Sequence, residues 1–334
     1  MSGGFIPYHL RPNKAVDRQL FVELLAKVNR FKPIGQYTYI GFGGSFLEDF
    51  KLIHTYFGNK KMISIEEDLN VLKRQKFNLP LRCITRRHEK SGDFIASYPI
   101  RGSAMIWLDY ANPRQLRVQI EEYEALISKL QLHDIIRITL NASPDTLRGR
   151  DSVDEKEKRE TADVRNAKRL KKLTDQLGDY LPQDTDATMM TVDELPQVYC
   201  RVLEFAANKA SQGRSSEMVQ PLSAFVYADS AHQMLTLTGI IIEKKEVTEF
   251  FRKTAIKRWR HASVDWKTFR VIRVPELTAR EKLFIDRYLP SSKQKGIHKR
   301  LDFLFAEDEV TSLEILKSYT DYYRYYPSYH RVTY

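Results

Sequence analysis

Short apolar runs alternate with longer amphipathic stretches over the first 140 residues of the chain. Runs of strand length predict strands over residues 37–41, 61–65, 81–85, 104–108 and 134–140. Apolar residues at three- and four-residue spacing predict helices over residues 16–31, 46–57, 69–77 and 116–130. This alternation predicts an α/β fold, in which a doubly wound, mostly parallel, Rossmann-like sheet carries helices on both faces.

The pattern changes after residue 143. Residues 144–180 are dense in both charges and poor in large apolar residues, which indicates a solvated insert, with an active-site lid as the alternative. A helix is predicted over residues 191–210, and residues 221–228 and 234–242 predict an antiparallel hairpin that ends the sheet. We therefore predict a Rossmann-like domain over residues 1–243 and a basic, aromatic-rich, mainly helical extension over residues 244–334.

Composition and hydropathy narrow the class of protein. Of the 334 residues, 42% are hydrophobic and 29% are charged, which is ordinary for a folded domain. No apolar run approaches the roughly 20 residues that a membrane-spanning helix needs, and the first residues lack the apolar stretch of a secretory signal. The two cysteines, Cys83 and Cys200, have neither metal-ligand nor disulfide spacing. These features predict a cytoplasmic protein without a membrane segment or a metal site.

The net charge of +11 is unevenly distributed. Residues 244–334 contain 20 Lys and Arg against 12 Asp and Glu, whereas the preceding residues are close to neutral. Arginines of this region alternate with Trp259, Trp266 and several tyrosines. Aromatic rings beside cationic groups are typical of surfaces that bind single-stranded nucleic acid. The region therefore predicts a nucleic-acid partner, and a solvated helical face is the alternative.

A glycine-rich turn, IGFGG, follows the first predicted strand and precedes a predicted helix. Glycine in such a turn permits positive φ and lets the backbone approach a ligand closely. A strand before it and a helix after it are the context of a nucleoside-cofactor site. The predicted cofactor-binding residues in this turn are Gly41, Phe42, Gly43, Gly44 and Ser45.

The turn differs from a dinucleotide-binding fingerprint. Its sixth position is the bulky Phe46, where that fingerprint has a third glycine. Glu48 and Asp49 lie in the first turn of the following helix, and their carboxylates would repel a pyrophosphate placed at the helix N-terminus. A cofactor with a cationic sulfonium and no phosphate suits this turn better, which favours S-adenosylmethionine over NAD.

Acidic residues end the second predicted strand, about 20 residues after the glycines. A carboxylate at this spacing hydrogen-bonds the ribose hydroxyls of a nucleoside cofactor. Glu66 follows the strand directly and is the predicted ribose ligand, and Glu67 beside it is a further predicted cofactor-binding residue. Asp68 fits the N-cap of the next helix.

The ends of the fourth and fifth predicted strands supply candidate catalytic residues. Strand four ends in WLDYANP, so Asp109, Tyr110 and Asn112 emerge at the same edge of the sheet as the glycine turn. We predict that Asp109 contacts the cofactor and orients or deprotonates the methyl acceptor, and that Tyr110 packs against the acceptor. Asn141 ends strand five and is a candidate substrate-binding residue.

Three basic residues precede and open the first predicted helix. Arg11, Lys14 and Arg18 could bind the methionine carboxylate of the cofactor or an acidic substrate. The alternative is an ordinary exposed helix start.

Three segments of the chain resemble the class I S-adenosylmethionine-dependent methyltransferases. They are IGFGG as the cofactor turn, SIEED as the ribose-binding strand end, and WLDYANP as the catalytic edge of strand four. The predicted hairpin matches the terminal antiparallel strands of that fold, and within the class the chain is similar to bacterial proteins described as O-methyltransferases. The resemblance extends over about residues 16–243 and implies transfer of a methyl group to a nucleophile.

The chain departs from two branches of that class. Amino-methyltransferases of nucleic acid carry Asp/Asn-Pro-Pro-aromatic after strand four, and residues 109–113, DYANP, lack the paired prolines. A Pro-Cys nucleophile of the kind that methylates cytosine carbon is also missing. These departures make methylation of a base amino group doubtful. They do not decide whether the methyl acceptor atom is oxygen or nitrogen.

Three functions stay open at this point. The first is a methyltransferase that acts on nucleic acid recruited by the basic extension. The second is a methyltransferase of small molecules or proteins. The third is a subunit or sensor that binds cofactor or nucleotide without turnover, within a complex with a protein partner or as a homo-oligomer.

Overall fold

A computed structural model describes residues 11–147, 161–228, 232–290 and 293–327. One eight-stranded sheet forms the centre of the molecule, in the order β3-β2-β1-β4-β5-β7-β6-β8. The strands are β1 (Thr38–Gly41), β2 (Met62–Glu66), β3 (Ile84–His88), β4 (Ala104–Asp109), β5 (Ile135–Asn141), β6 (Glu217–Ala228), β7 (Gln233–Glu243) and β8 (Arg270–Ile272). Only β7 runs antiparallel to its neighbours among these strands, so the carboxyl ends of the other seven lie at the same edge.

Helices cover both faces of the sheet. In chain order they are α1 (Pro12–Val28), α2 (Glu48–Phe57), α3 (Leu69–Phe77), α4 (Ser91–Ser97), α5 (Leu116–Lys129), α6 (Ala162–Leu177), α7 (Leu195–Ala210), α8 (Val247–Thr254), α9 (Ala279–Asp286), α10 (Gln294–Leu301) and α11 (Glu309–Tyr322). Apolar residues of α4 to α7 pack on one face of the sheet, and those of α1, α2 and α8 to α11 pack on the other. None of the helices within the described ranges is both long and apolar enough to cross a membrane.

The predicted α/β architecture is confirmed, including the hairpin, whose strands pair antiparallel as β6 and β7. Strand β3 begins three residues later than predicted, because residues 81–83 lead into the strand and do not form part of it. The strand itself, ITRRH, lies at the edge of the sheet, where exposed polar side chains are tolerated. Helices α4 and α10 were missing from the prediction, since both are short and weakly patterned.

The described residues after Glu243 pack against the same sheet. Strand β8 pairs in parallel with β6. The side chain of Asn13, at the start of α1, connects the two strands: its Nδ2 donates to Ala228 O at 3.0 Å, and its Oδ1 accepts from Val274 N at 2.7 Å. Tyr325 also donates a hydrogen bond to Glu23 of α1. The boundary at residue 243 stays a prediction, and these contacts join the two predicted parts at α1.

The predicted charged insert is helical in its second half. Helix α6 buries Leu173 and Leu177 and directs most of its charged side chains outward, while residues 148–160 lie outside the described residues. Lys172 donates to Thr146 O, which joins the helix to the segment that follows β5. The pKa of Lys172 lies below its ordinary value because of partial burial and the nearby charge of Arg114.

A buried ion pair holds α1 on the sheet. Arg137, in the middle of β5, donates from Nη2 to Asp17 Oδ1 of α1 at 2.5 Å, and both side chains are fully buried. Arg137 also donates to Thr238 Oγ1 at 2.8 Å, and Thr236 donates to Asp17 Oδ1 at 2.9 Å. The guanidinium lies 4.6 Å from the ring of Phe21, so charge, hydrogen bonds and a cation–π contact all act on this side chain.

We expect Arg137→Met to lower the free energy of unfolding by about 3–5 kcal/mol, because it leaves the carboxylate of Asp17 buried without its cation. Urea unfolding followed by circular dichroism measures the change. Arg252→Met is the control, since the pair of Arg252 with Glu249 is exposed to solvent and contributes little to stability.

The double variant Asp17→Leu/Arg137→Met removes both charges and should recover a large part of the loss. Equal stability losses in Arg137→Met and Arg252→Met would show that the buried pair does not hold α1 in place.

Candidate active site

The candidate site lies where the strand order reverses, between β1 and β4. Ligands of open α/β sheets bind in the crevice outside the carboxyl ends of the strands at this point. Gly41 of β1 is paired in register with Trp107 of β4, and with Ser64 of β2 on its other side. The glycine turn, Glu66 and Asp109 therefore leave three adjacent strands at one edge, as the sequence predicts.

The glycine turn has one positive φ and one very close packing contact. Gly44 adopts φ +50°, which favours glycine. A Cβ on Gly43 would come within 2.3 Å of Leu47 Cδ2 and 2.6 Å of Ser64 Oγ, so this glycine is needed for packing between the turn and β2. Ser45 is buried behind the turn. Leu47 also has a positive φ, of 53°, and α2 begins at Glu48, two residues later than predicted.

The predicted repulsion of a pyrophosphate by Asp49 needs correction. The carboxylate of Asp49 is buried and contacts Arg18, with Oδ1 at 2.5 Å from Nε and Oδ2 at 3.3 Å from Nη2. The charge of Asp49 is therefore compensated by a cation, and it does not by itself repel a pyrophosphate. Glu48, which is half-buried, and the bulk of Phe46 remain as the features that disfavour a dinucleotide.

Glu66 ends β2 next to the glycine turn, at the position predicted for a ribose ligand. Its Oε1 accepts a hydrogen bond from Asp68 N at 2.9 Å, and burial raises the pKa of this carboxyl above its ordinary value. Glu67 is exposed, and its carbonyl oxygen lies 3.1 Å from Nε2 of His88. The predicted N-cap is confirmed, because Asp68 Oδ1 accepts from the backbone of Asn70 at 2.7 Å.

Asp109 ends β4 and contacts two cations of α1. Its Oδ2 lies 3.4 Å from Arg18 Nη2 and 3.5 Å from Lys14 Nζ. Burial alone would raise the pKa of Asp109, but Lys14, Arg18 and a hydrogen bond from Thr139 outweigh it, and the pKa lies below its ordinary value. Asp109 is therefore an ionised carboxylate near neutral pH, which suits orientation and electrostatic stabilisation better than proton abstraction.

The two other predicted catalytic residues have contacts of their own. The ring of Tyr110 packs edge-on against Phe42 of the glycine turn, with centroids 5.3 Å apart, and its hydroxyl donates to Glu122 of α5. Burial and Glu122 raise the pKa of Tyr110 well above its ordinary value, so its hydroxyl stays protonated. Asn112 caps a short helical turn, since its Oδ1 accepts from Arg114 N at 3.1 Å.

Asn141 lies at the end of β5 and is buried. Its Oδ1 accepts a hydrogen bond from Ser143 N at 3.1 Å. This contact shapes the segment after β5, and a contact between Asn141 and a substrate stays a prediction.

The basic residues at the start of α1 are brought to the site. Arg18 is 3% exposed, so the alternative of an ordinary exposed helix start is wrong for this residue. Lys14 is half-buried, and burial lowers its pKa although Asp109 opposes the change. Arg11 is half-buried at the N-cap position of α1. Arg18 and Lys14 thus form one charged cluster with Asp109.

Two side chains that support this cluster were missing from the prediction. The indole of Trp107 lies beneath two guanidinium groups, 4.9 Å from Arg18 and 4.5 Å from Arg137, and its Nε1 donates to Thr139 Oγ1 at 2.9 Å. Thr139 in turn donates to Asp109. The sequence contains one sign of this cluster, which is Arg137 within the apolar run DIIRITL. A buried charge must be paired, so an arginine in a buried strand indicates partners nearby.

The groups at this edge suit a cofactor that carries charges of both signs. Glu66 and Asp109 provide carboxylates beside β2 and β4, and Lys14 and Arg18 provide cations for a carboxylate. Within the described parts of the chain, no group of three His, Cys, Asp or Glu side chains could hold a metal ion. The arrangement can bind a nucleoside with a zwitterionic substituent and orient it across the crevice.

Comparison with known proteins gives a family and several similar folds. The family model described as "Putative O-methyltransferase" matches residues 6–334. Trm1 from Pyrococcus horikoshii, solved with S-adenosyl-L-methionine, is 10% identical over 72% of this chain and 56% of its own, with a TM-score of 0.41. The N-methyltransferase NodS from Bradyrhizobium japonicum WM9 is 8% identical over 68% of this chain and 97% of its own, with a TM-score of 0.37. No curated protein sequence matches the chain.

The family match extends over nearly the whole chain, including the basic residues after Glu243. It agrees with the strand order and with the position of the glycine turn at the point where that order reverses. On this evidence the chain belongs to the family described as "Putative O-methyltransferase", and it is a methyltransferase of the class I fold.

Proposed function

We propose that the chain transfers a methyl group from S-adenosylmethionine to a nucleophile, with the cofactor bound across the crevice between β1 and β4. The observation that carries the proposal is the meeting of the glycine turn after β1 with the charged cluster of Asp109, Lys14 and Arg18 after β4. The cofactor of this reaction supplies an electrophilic methyl group on a sulfonium, and the chain supplies the position of the reacting groups.

Glu66 is the residue proposed for the ribose. It lies at the end of the strand next to the glycine turn, and two hydroxyls offer its carboxylate charge-assisted hydrogen bonds. The raised pKa of Glu66 reflects loss of hydration, which such hydrogen bonds would offset. Its neighbour Glu67 is exposed and provides a matched comparison.

Lys14 and Arg18 are proposed to face the carboxylate of the methionine part of the cofactor. Asp109 is proposed to face either the ammonium group of that part or the methyl acceptor. Because Lys14, Arg18 and Thr139 hold the Asp109 carboxylate ionised and in place, its orientation costs little at the moment of reaction. Methyl transfer needs alignment of nucleophile, carbon and sulfur, and such positioning can remove about 7–11 kcal/mol of barrier.

Tyr110 is proposed to shape the crevice and not to exchange a proton. Its hydroxyl is engaged by Glu122, and its ring supports Phe42 of the turn. The Asp109 carboxylate can accept a hydrogen bond from a hydroxyl or from an amino group, so the proposal includes both O and N acceptors.

We expect S-adenosylmethionine to bind the purified protein more tightly than NAD in isothermal titration calorimetry. Glu66→Gln should weaken S-adenosylmethionine binding by about tenfold, since it replaces a charge-assisted hydrogen bond contributing roughly 1.5–3 kcal/mol with a neutral one. Glu67→Gln is the matched control and should leave the affinity unchanged. Tighter binding of NAD, or equal losses in the two variants, would contradict the proposed cofactor site.

We expect Asp109→Asn to lower turnover at least 100-fold while the protein still binds S-adenosylmethionine, because the variant keeps the shape of the site and loses its fixed negative charge. Transfer of a labelled methyl group onto fractionated cell extract measures turnover, and calorimetry measures binding. Glu121→Gln, on the exposed face of α5, is the control.

Unchanged turnover in Asp109→Asn would remove Asp109 from the mechanism. Binding of S-adenosylmethionine by the unmodified protein without transfer onto any fraction would instead favour the cofactor-binding subunit or sensor.

A further inference from the structure

A cavity of about 480 Å³ lies between the segment after α8 and the last helices of the chain. This volume falls within the roughly 300–1,000 Å³ of pockets that bind small molecules. Six of the residues that line it combine cationic, aromatic and amide side chains: Arg260, His261, Gln294, Tyr323, Arg324 and Tyr325. The methyltransferase mechanism uses none of them.

Two exposed guanidinium groups lie at this cavity. Arg260 contacts Asp321, which also lines the cavity, with Nη2 at 2.8 Å from Oδ1 and 2.6 Å from the backbone oxygen. Both side chains of this pair are about half exposed, so the pair contributes little to stability. Arg260 can therefore exchange Asp321 for a phosphate group, which accepts bidentate hydrogen bonds from arginine. Arg324 brings a second cation.

His261, which lines the cavity, packs among aromatic rings. The imidazole of His261 stacks on Tyr322, with centroids 5.0 Å apart and planes 24° apart, and it meets the rings of Tyr325 and Trp259 edge-on. Tyr323 and Tyr325 line the cavity itself. Rings of this kind stack on nucleobases.

His261 is 3% exposed, and its Nε2 has no hydrogen-bond partner among the residues that the structure describes. A buried polar atom without a partner is unfavourable, and this one belongs to a residue that lines the cavity. Burial and the charges of Arg260, Arg270 and Arg324 lower the pKa of His261 to about 3, so the ring is neutral at physiological pH. A neutral imidazole can donate to or accept from a base edge.

The cavity is well separated from the methyl-transfer site. Helix α1 relates the two regions. Lys14, near its first residues, contacts Asp109, and Lys27, near its last, lies 5.8 Å from the ring of Trp259, which meets His261 of the cavity edge-on. Thirteen residue steps lead from Lys14 to Lys27, which corresponds to about 20 Å of helix. A ligand in the cavity therefore cannot be the group that receives the methyl at Asp109.

We propose that this cavity binds one nucleotide unit of a single-stranded nucleic acid, with the phosphate on Arg260 and Arg324 and the base against Tyr323 and His261. Two arginines beside stacked rings match phosphate and base together, whereas a phosphopeptide would use the arginines and leave the aromatic rings without a partner. The surplus of basic residues in the region 244–334 favours a polyanion over a free nucleotide. The proposal is independent of the methyl acceptor and of cofactor binding.

The test uses the full-length protein and fluorescence anisotropy of a labelled 12-residue oligouridylate, with an oligothymidylate of the same length and free UMP as competitors. We expect binding that weakens from 50 to 200 mM salt. Arg260→Glu/Arg324→Glu should weaken it at least tenfold and reduce the salt dependence. Tyr323→Ala should weaken it several-fold at unchanged salt dependence, because it removes stacking and no charge.

The control variant Lys60→Glu/Lys61→Glu makes the same change in net charge at exposed positions before β2. Equal weakening in the control and the arginine variant would mean diffuse attraction and would overturn the proposed cavity site. So would absence of binding at 50 mM salt, or tighter binding of a phosphotyrosine peptide than of either oligonucleotide. Competition by UMP as strong as by the oligonucleotides would show that the cavity binds a free nucleotide. That result would overturn the proposed nucleic-acid polymer. Calorimetry with S-adenosylmethionine should be unchanged in all three variants, which separates this outcome from failure of the methyltransferase proposal.

Discussion

Charge neutralisation beneath α1 is the interaction on which the arrangement of this protein depends. Three cations and three carboxylates meet between that helix and the sheet: Lys14, Arg18, Arg137, Asp17, Asp49 and Asp109. Buried charges are tolerated only when they are paired, so moving α1 away would leave Asp49, Asp109 and Arg137 without their charge partners on that helix. These ion pairs therefore fix the positions of the glycine turn, β4 and β5 relative to one another.

This neutralisation also decides what kind of chemistry the site can do. A carboxylate with a raised pKa serves as a base, whereas one held ionised by neighbouring cations serves as a fixed charge. Asp109 belongs to the second kind, because Lys14 and Arg18 lower its pKa in spite of burial. The reaction class that needs such a group is one limited by alignment, which agrees with transfer of a methyl group.

Much of the fold was predictable because its strands are apolar on both faces. The run AMIWL predicts β4 from the sequence alone, and the end of this run places Asp109 at the edge of the sheet. The edge strand β3 was placed three residues early, since its exposed side chains carry little pattern. The contact between Arg18 and Asp109 could not be predicted, because the two residues are 91 positions apart. The apolar periodicity of a helix does not indicate which residues contact its polar side chains. The burial of Arg137 had a visible sign, a lone arginine in an apolar strand.

The contacts between the first helix and the last elements have a consequence for folding. Asn13 binds the backbone of residue 274, and Glu23 binds Tyr325, across separations of 261 and 302 positions. Contacts between distant residues close long loops and slow folding. During synthesis α1 and β6 (Glu217–Ala228) precede β8 (Arg270–Ile272), so the sheet edge at β6 stays uncovered until β8 arrives. Between the synthesis of β6 and that of β8 the nascent chain therefore exposes unpaired strand backbone, and in this interval it depends on protection from aggregation.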